Sequence, residues 1–407
     1  MWQGVTITGF YDIVVVGGGV GGLALGCALA EKHHVLIIEA RPGLVPSKRG
    51  LSLQANGLEA LQKLDLLGRV TSIGLKTGHV ACYEIDGSLL ADLDYSILDH
   101  PHNYVLTLVP SELERVLRNE FSRRGGEIQE STSFKEVVLH HDSVRLRAQC
   151  NALSLEFSAS IIVGADGENS RVRNGLRLPT KIRECPDHFL FMLAGPLDML
   201  QEKARQYFGL GKMVGFFPVP EGTYIFYYLP AGRINDLRAE VLDRFKTELT
   251  NIMPEISDPL DSLISWDDIV YVAPKRVSVR HWVTDRAALL GDAVHALDPS
   301  WAQGANMTLQ DALVLANTID QCFQSGDFSV FRLKAYENAR RKQTTFVQQQ
   351  SDRTARLTTT ENRFNYWLGK RIIRRTGRNK TLMRTALKAS AGLSDRFSIR
   401  EQLRFII

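Results

Sequence analysis

Cysteine is scarce and scattered. Cys27, Cys82, Cys150, Cys185 and Cys322 are five in number, odd, and far apart, which excludes a disulfide frame, a zinc site of ordinary spacing and a dithiol reductase. Long hydrophobic runs are missing too, and no stretch approaches the roughly 20 apolar residues that span a bilayer. Residues 1–10 show no basic start, apolar core or cleavage pattern, so no secretory leader is read there. Together these absences predict a cytoplasmic setting. Charge of one sign is also lacking overall, with 49 Lys and Arg against 45 Asp and Glu. With no supporting motif either, nucleic-acid binding is not expected.

The composition, 44% hydrophobic and 23% charged, is that of an ordinary globular protein. At 407 residues it predicts two intertwined domains and a tail. The balance of charge conceals an asymmetry. Residues 353–407 hold 14 basic and 3 acidic side chains, a net of +11, which leaves −7 for residues 1–352.

Glycines mark the first chemistry. Asp12–Val16 reads as a buried strand, Gly17–Gly22 as a turn and residues 23–31 as a helix, so that Gly17, Gly19 and Gly22 form a GxGxxG turn between strand and helix. Gly17 allows the tight turn, Gly19 lets a pyrophosphate reach the backbone, and Gly22 lets helix and strand pack closely. The helix N-terminus offers free N–H groups to phosphate. A second strand, Val35–Ile38, ends in Glu39, 22 residues after Gly17, where an acid can hold the adenosine ribose.

Two further motifs follow. Ile161–Val163 leads into Gly164-Ala165-Asp166-Gly167, and Ala287–Leu290 leads into Gly291-Asp292, then Pro299 and Gln303-Gly304-Ala305-Asn306. In this order the three motifs resemble the single-component FAD-dependent aromatic hydroxylases, which have the p-hydroxybenzoate hydroxylase fold. The resemblance covers most of residues 11–320. It implies an α/β protein: a Rossmann-like FAD-binding domain from residues 1–75, 105–180 and 281–350, an interleaved mixed-sheet substrate domain from 76–104 and 181–280, and a basic helical region at 351–407.

The same resemblance assigns FAD to Gly17, Gly19, Val20, Gly21, Gly22, Glu39, Ala40, Arg49, Phe134, Asp166, Gly291, Asp292, Pro299, Gln303, Gly304, Ala305 and Asn306. Asp166 is expected near the pyrophosphate and Asp292 at the ribityl chain. A helix opening at Pro299–Asn306 would aim N–H groups at the flavin N1 and O2 atoms, favouring the negative charge of reduced flavin. His295 reads as a packed, hydrogen-bonded residue. Two positions depart from the family pattern. Ala302 replaces a glycine, tolerable if its φ is negative. Pro110 stands where an FAD-contacting Arg is usual, with Arg49 an alternative cation and Ser111 a candidate cap for a helix over 111–121.

Val214–Pro218 and Thr223–Leu229 read as paired strands. In the second, Tyr224, Phe226 and Tyr228 share one face and Ile225, Tyr227 and Leu229 the other. By resemblance, the first face lines a hydrophobic pocket over the flavin, with Trp301 as a further wall. Buried core remains the competing reading of that strand.

The implied reaction takes NADPH or NADH and O2, and hydroxylates or epoxidises a small hydrophobic aromatic molecule through a flavin C4a-hydroperoxide. The cofactor carries that chemistry, and the chain shows no metal cluster, nucleophile triad or carboxylate pair. The alternatives are a reductase or dehydrogenase of the same fold that does not use O2, and a flavin-binding protein that has lost turnover. A halogenase is disfavoured because the five tryptophans are isolated. For the basic tail, docking on the acidic body through Phe364, Trp367, Leu368 and Ile372 is expected over lipid contact.

Overall fold

The computed structural model describes residues 6–200 and 203–406. Its first sheet has eight strands. Six follow the order Val283–Thr284, Ala287–Leu289, Leu153–Gly164, Thr6–Val16, Val35–Ile38, Glu127–Gln129, and the antiparallel pair Thr132–Leu139 and Val144–Cys150 extends from the Leu153 strand. Ile13–Val16 and Val35–Ile38 are buried throughout, as unbroken apolar runs require of parallel strands covered on both faces.

Register places the three motifs together. Val16 stands opposite Ile38 on one side and Gly164 on the other, and Gly164 stands opposite Leu289. The turns after these four parallel strands therefore emerge along one edge of the sheet, outside the carboxyl ends where open α/β sheets bind ligands.

The second sheet has seven strands, in the order Ile269–Val272, Asp187–Ala194, Gly222–Pro230, Lys212–Val219, Lys203–Gly209, His79–Glu84, Leu89–Asp94. Its strand period of two separates the side chains by face. Phe189, Phe191, Phe217, Tyr224 and Tyr228 pack on one side. Leu190, Met192, Ile225, Tyr227 and Leu229 pack on the other, where Phe245 and Leu249 of the helix Leu242–Ile252 close the core.

The C-terminal region is helical: Val330–Thr358, Arg363–Arg378, Lys380–Ser390 and Ile399–Ile406. It packs on the body, but through only part of the expected set: Leu368 and Ile372 are partly buried and Ile372 lines the central cavity. Phe364 and Trp367 are 65% and 50% exposed. The Arg363–Arg378 helix approaches instead through its small residues. A Cβ on Gly369 would lie 2.3 Å from the Leu357 carbonyl oxygen, and one on Gly377 would lie 2.6 Å from Ala91 Cβ. Lys370 and Arg374 complete the contact by bridging Glu84 at 2.9 and 2.7 Å. Among the described residues, no helix is long and apolar enough to cross a membrane.

Candidate active site

One cavity of about 1030 Å³ runs from the glycine-rich turn, beneath the seven-stranded sheet, to the last helices. At its first end, Gly19, Val20 and Gly21 open the helix Val20–Leu29 onto it. The three glycines of the turn are distinguished by what a methyl group would meet. On Gly17, at φ +111°, it would strike the Ala165 carbonyl oxygen at 2.4 Å, and on Gly22 the Gly17 carbonyl oxygen at 2.0 Å. On Gly19 it would meet nothing within 4 Å. The turn and the packing thus consume two glycines, while the third faces open space at a helix N-terminus. That is the cradle a pyrophosphate needs, so the residues present fit FAD.

Glu39 is buried behind this turn. Its carboxylate accepts from Gly18 N at 2.6 Å, Arg41 N at 2.8 Å and Arg41 Nε at 3.1 Å. Burial pushes its pKa up, but these hydrogen bonds outweigh burial and hold it below the ordinary value. Arg41 also reaches Glu114, 3.3 Å away, whose own carboxyl burial pushes up. Sequence reasoning missed both Arg41 and Glu114; an Arg two residues after the ribose acid was the available signal.

The third motif forms the cavity floor. Gly291 has φ +62°, and a Cβ there would meet Thr308 Oγ1 at 2.7 Å. Asp292 lines the cavity, and its side chain is accessible there. Burial raises its pKa, against the pull of His295 and Arg49. His295 turns away into the core, its Nε2 2.5 Å from Asp311 Oδ2, and Arg340 Nε donates to the other Asp311 oxygen at 2.6 Å. Arg49, Pro110, Pro299, Trp301, Gly304 and Ala305 all line the cavity. Gly304 starts the helix Gly304–Ser325, so that N-terminus also points inward.

Several other assigned residues are placed elsewhere. Gln303 and Asn306 are fully buried and spend their side chains on protein. Gln303 donates to the Ser390 carbonyl at 2.7 Å and accepts from Asn56 at 2.8 Å. Asn306 donates to the Ser52 carbonyl at 2.9 Å and accepts from Gln54 N at 2.9 Å. Asp166 caps the short helix Arg171–Gly175, accepting from Arg171 N at 2.7 Å and Val172 N at 3.0 Å. Phe134 lies in the core of the first sheet, and Ala40 is exposed beside the Glu39 turn; neither lines the cavity.

Both departures from the family pattern have structural readings that differ from expectation. Ala302 has φ +50° and ψ +34°, the left-handed region, so the condition of a negative φ is not met. Such a conformation costs an L-residue roughly 1–2 kcal/mol. Pro110 is the first residue of the helix Pro110–Arg123, where its missing N–H and fixed φ suit the helix. The cap position is Val109, and Ser111 Oγ instead accepts from Ser47 N at 3.4 Å.

Over the floor, Tyr224 and Phe226 line the cavity with Phe189, Phe191 and Phe217. Tyr228 shares their face but stands outside the lining, near Asp187. Tyr227 points to the opposite side, its hydroxyl 3.0 Å from Glu248. Trp301 is fixed by its indole N–H, 2.8 Å from Thr354 Oγ1. Phe189 and Phe191 went unread in the sequence, although their alternation in Asp187–Ala194 was a signal of the same kind. No cluster of metal ligands occurs among the described residues.

Comparison with known proteins agrees with this geometry. The family model described as "FAD binding domain" matches residues 11–351. Aurachin C monooxygenase/isomerase of Stigmatella aurantiaca is 27% identical over 390 residues, covering 92% of this chain and 96% of that protein. 6-Methylpretetramide 4-monooxygenase of Streptomyces rimosus is 26% identical over 350 residues, covering 82% and 81%. The solved p-nitrophenol 4-monooxygenase of Pseudomonas putida shares the fold, with a TM-score of 0.83 at 19% identity over 96% of this chain and all of that one. The chain therefore belongs to the FAD binding domain family and is a flavin-dependent monooxygenase of the flavoprotein hydroxylase fold.

Proposed function

We propose that this protein uses NADH or NADPH and O2 to hydroxylate or epoxidise a small, hydrophobic aromatic molecule. The observation that carries the reading is the continuity of one cavity. Its floor holds the FAD-binding turns, and its roof is an aromatic sheet face bearing Phe191, Phe217, Tyr224 and Phe226. The two relatives, named for oxygenation of aurachin C and 6-methylpretetramide, support it.

Bound FAD supplies hydride acceptance from the nicotinamide and activation of O2. The chain's own residues do the rest. Gly19 and the N-terminus of its helix would hold the pyrophosphate, Glu39 the ribose, and Asp292 a hydroxyl of the ribityl chain. The backbone N–H groups at Gly304 and Ala305 favour the negative charge of the reduced ring. Side chains of Gln303 and Asn306 act indirectly. They tie this loop to Ser52, Gln54 and Asn56, which would hold the N–H groups in place for the cofactor. The stacked Phe191–Tyr224 pair, with centroids 6.0 Å apart, orients a flat ring and keeps water from it. Tyr224 is also held neutral, because burial pushes its hydroxyl far above the working range.

The test is consumption of NADH and NADPH by the holoenzyme across phenols, quinolones and polycyclic aromatic ketones, with product mass read for each. A ring that stimulates consumption and gains 16 mass units supports the reading. Consumption that no ring stimulates opposes it.

A further inference from the structure

We propose that the chamber between the aromatic sheet and the C-terminal helices holds a long alkyl or isoprenoid substituent of the ring substrate. The proposal rests on the monooxygenase reading and names the substrate class for that same site.

Beyond the FAD-binding turns, the cavity continues along Leu357, Ile372, Ile373, Leu387, Phe397 and Phe405. All six lie past residue 351, where the family match ends. The extension is therefore built by the C-terminal helices and not by the segment that the family model matches. Ile373 and Leu387 join the same apolar cluster as Phe191, Phe217 and Tyr224, so the ring pocket and the extension share one wall. Phe397 packs edge-on against Phe346, centroids 5.2 Å apart, and tilted against Phe405 at 5.7 Å.

Close contacts fix the helices that wall the chamber. Gly369 and Gly377 let the Arg363–Arg378 helix sit hard against Leu357 and Ala91, while Glu84 pins Lys370 and Arg374 on the outside. Gln303 and Asn56 fasten the end of the Lys380–Ser390 helix to the cofactor loop. A Cβ on Gly392, just beyond that helix, would fall 2.2 Å from Asn56 Nδ2.

The chemistry of the lining selects the occupant. The carboxylates on the cavity, Glu114, Glu168 and Asp292, stand at or beside the FAD-binding turns. The polar side chains in the extension are neutral (Gln206, Gln350, Thr354, Thr358 and Thr376 among them), apart from the exposed Arg353. A charged or polyhydroxylated group would lose water here without finding enough partners. A hydrocarbon chain loses nothing and gains about three- to fourfold in affinity per buried methylene. Half-exposed Phe405 and exposed Gln402 on the last helix mark the outer end, so chains of different length fit the same ring position.

The experiment measures binding of 4-methyl-, 4-butyl-, 4-heptyl- and 4-nonylphenol to the FAD-loaded enzyme by flavin difference spectra. Wild type is compared with Ile373→Trp and Ile372→Trp, which fill the chamber from neighbouring points, and flavin content reports the fold of each variant. The wild-type Kd should fall at least twofold per methylene up to heptyl. In a flavin-loaded filled variant, the heptyl and nonyl compounds should weaken at least tenfold while 4-methylphenol changes less than twofold. A flat wild-type series overturns the proposal, as does a full chain-length dependence in flavin-loaded variants or equal weakening of all four ligands. Chain-length-dependent binding without any NAD(P)H-driven oxygenation would refute the monooxygenase reading and leave the chamber assignment standing.

Discussion

The glycine turn permits a prediction in which two substitutions of the same size separate binding from folding. Gly19→Ala adds a methyl group that meets no protein atom within 4 Å, at a residue with φ −80° and ψ −175° that alanine adopts readily. Its helix-capping loss, roughly 0.5–1 kcal/mol, is offset by a stiffer unfolded chain worth about 0.4–1 kcal/mol. Stability of the flavin-free protein should therefore change by less than about 1 kcal/mol. The methyl stands where the pyrophosphate must come, however. Losing even one charge-assisted N–H contact costs about 1.5–3 kcal/mol, a 10- to 150-fold weaker FAD Kd. Gly22→Ala is the opposite case, since its methyl would lie 2.0 Å from the Gly17 carbonyl oxygen. Relieving that clash moves helix against strand, for about 1–3 kcal/mol of stability. The assays are urea denaturation of the deflavinated proteins and FAD titration followed by flavin fluorescence. Wild-type FAD affinity in Gly19→Ala would refute the placement of the cofactor.

Ala302→Gly should relieve the left-handed strain and stabilise the protein by about 1 kcal/mol after the entropy cost of glycine, seen as a higher urea midpoint; an unchanged or lower midpoint would contradict the observed φ of +50°. Asp298 is buried, and its carboxyl is pushed up to about 6, first by desolvation and then, against hydrogen bonds from Ser300, by Asp187. Between the ordinary Asp value and 6 the native state binds the extra proton, so stability should fall as pH rises from 4 through 6. Asp298→Asn should remove that fall, up to about 3 kcal/mol at 1.36 kcal/mol per unit, and equal pH slopes in both proteins would count against it. Deleting residues 361–407 removes Ile372, Ile373, Leu387, Phe397 and Phe405 from the cavity wall. It should lower thermal stability in the absence of any lipid, and an unaltered melting curve would show that the tail is not part of the folded body.

Legibility in the sequence followed the physics of each feature. The glycine motifs could be read because backbone geometry and close approach demand that residue type, and strand register then carries them to one edge of the sheet. The aromatic face of Gly222–Pro230 could be read because a strand alternates strictly. The tail could not be read from a helical wheel. Large apolar side chains mark a packed face only when the helix packs through them, and here Gly369, Ile373, Thr376 and Gly377 make the contact while Phe364 and Trp367 face solvent. The sign of φ at Ala302 is set by the loop between Pro299 and the next helix, a tertiary constraint that no local pattern encodes. Gln303 and Asn306 carry the motif but turn their side chains to residues about 250 positions away in sequence, a pairing visible only once the chain is folded.

The central claim is that one oxygen atom passes from O2 to a hydrophobic ring held beneath the aromatic sheet. Turnover of a stimulating phenol or quinolone under ¹⁸O2 in ordinary water, with NADH or NADPH, tests it directly by product mass. The account predicts a product heavier by 18 units than the substrate, with one labelled oxygen. An oxygenated product free of label, or a reduced or dehydrogenated product with no added oxygen, would contradict it.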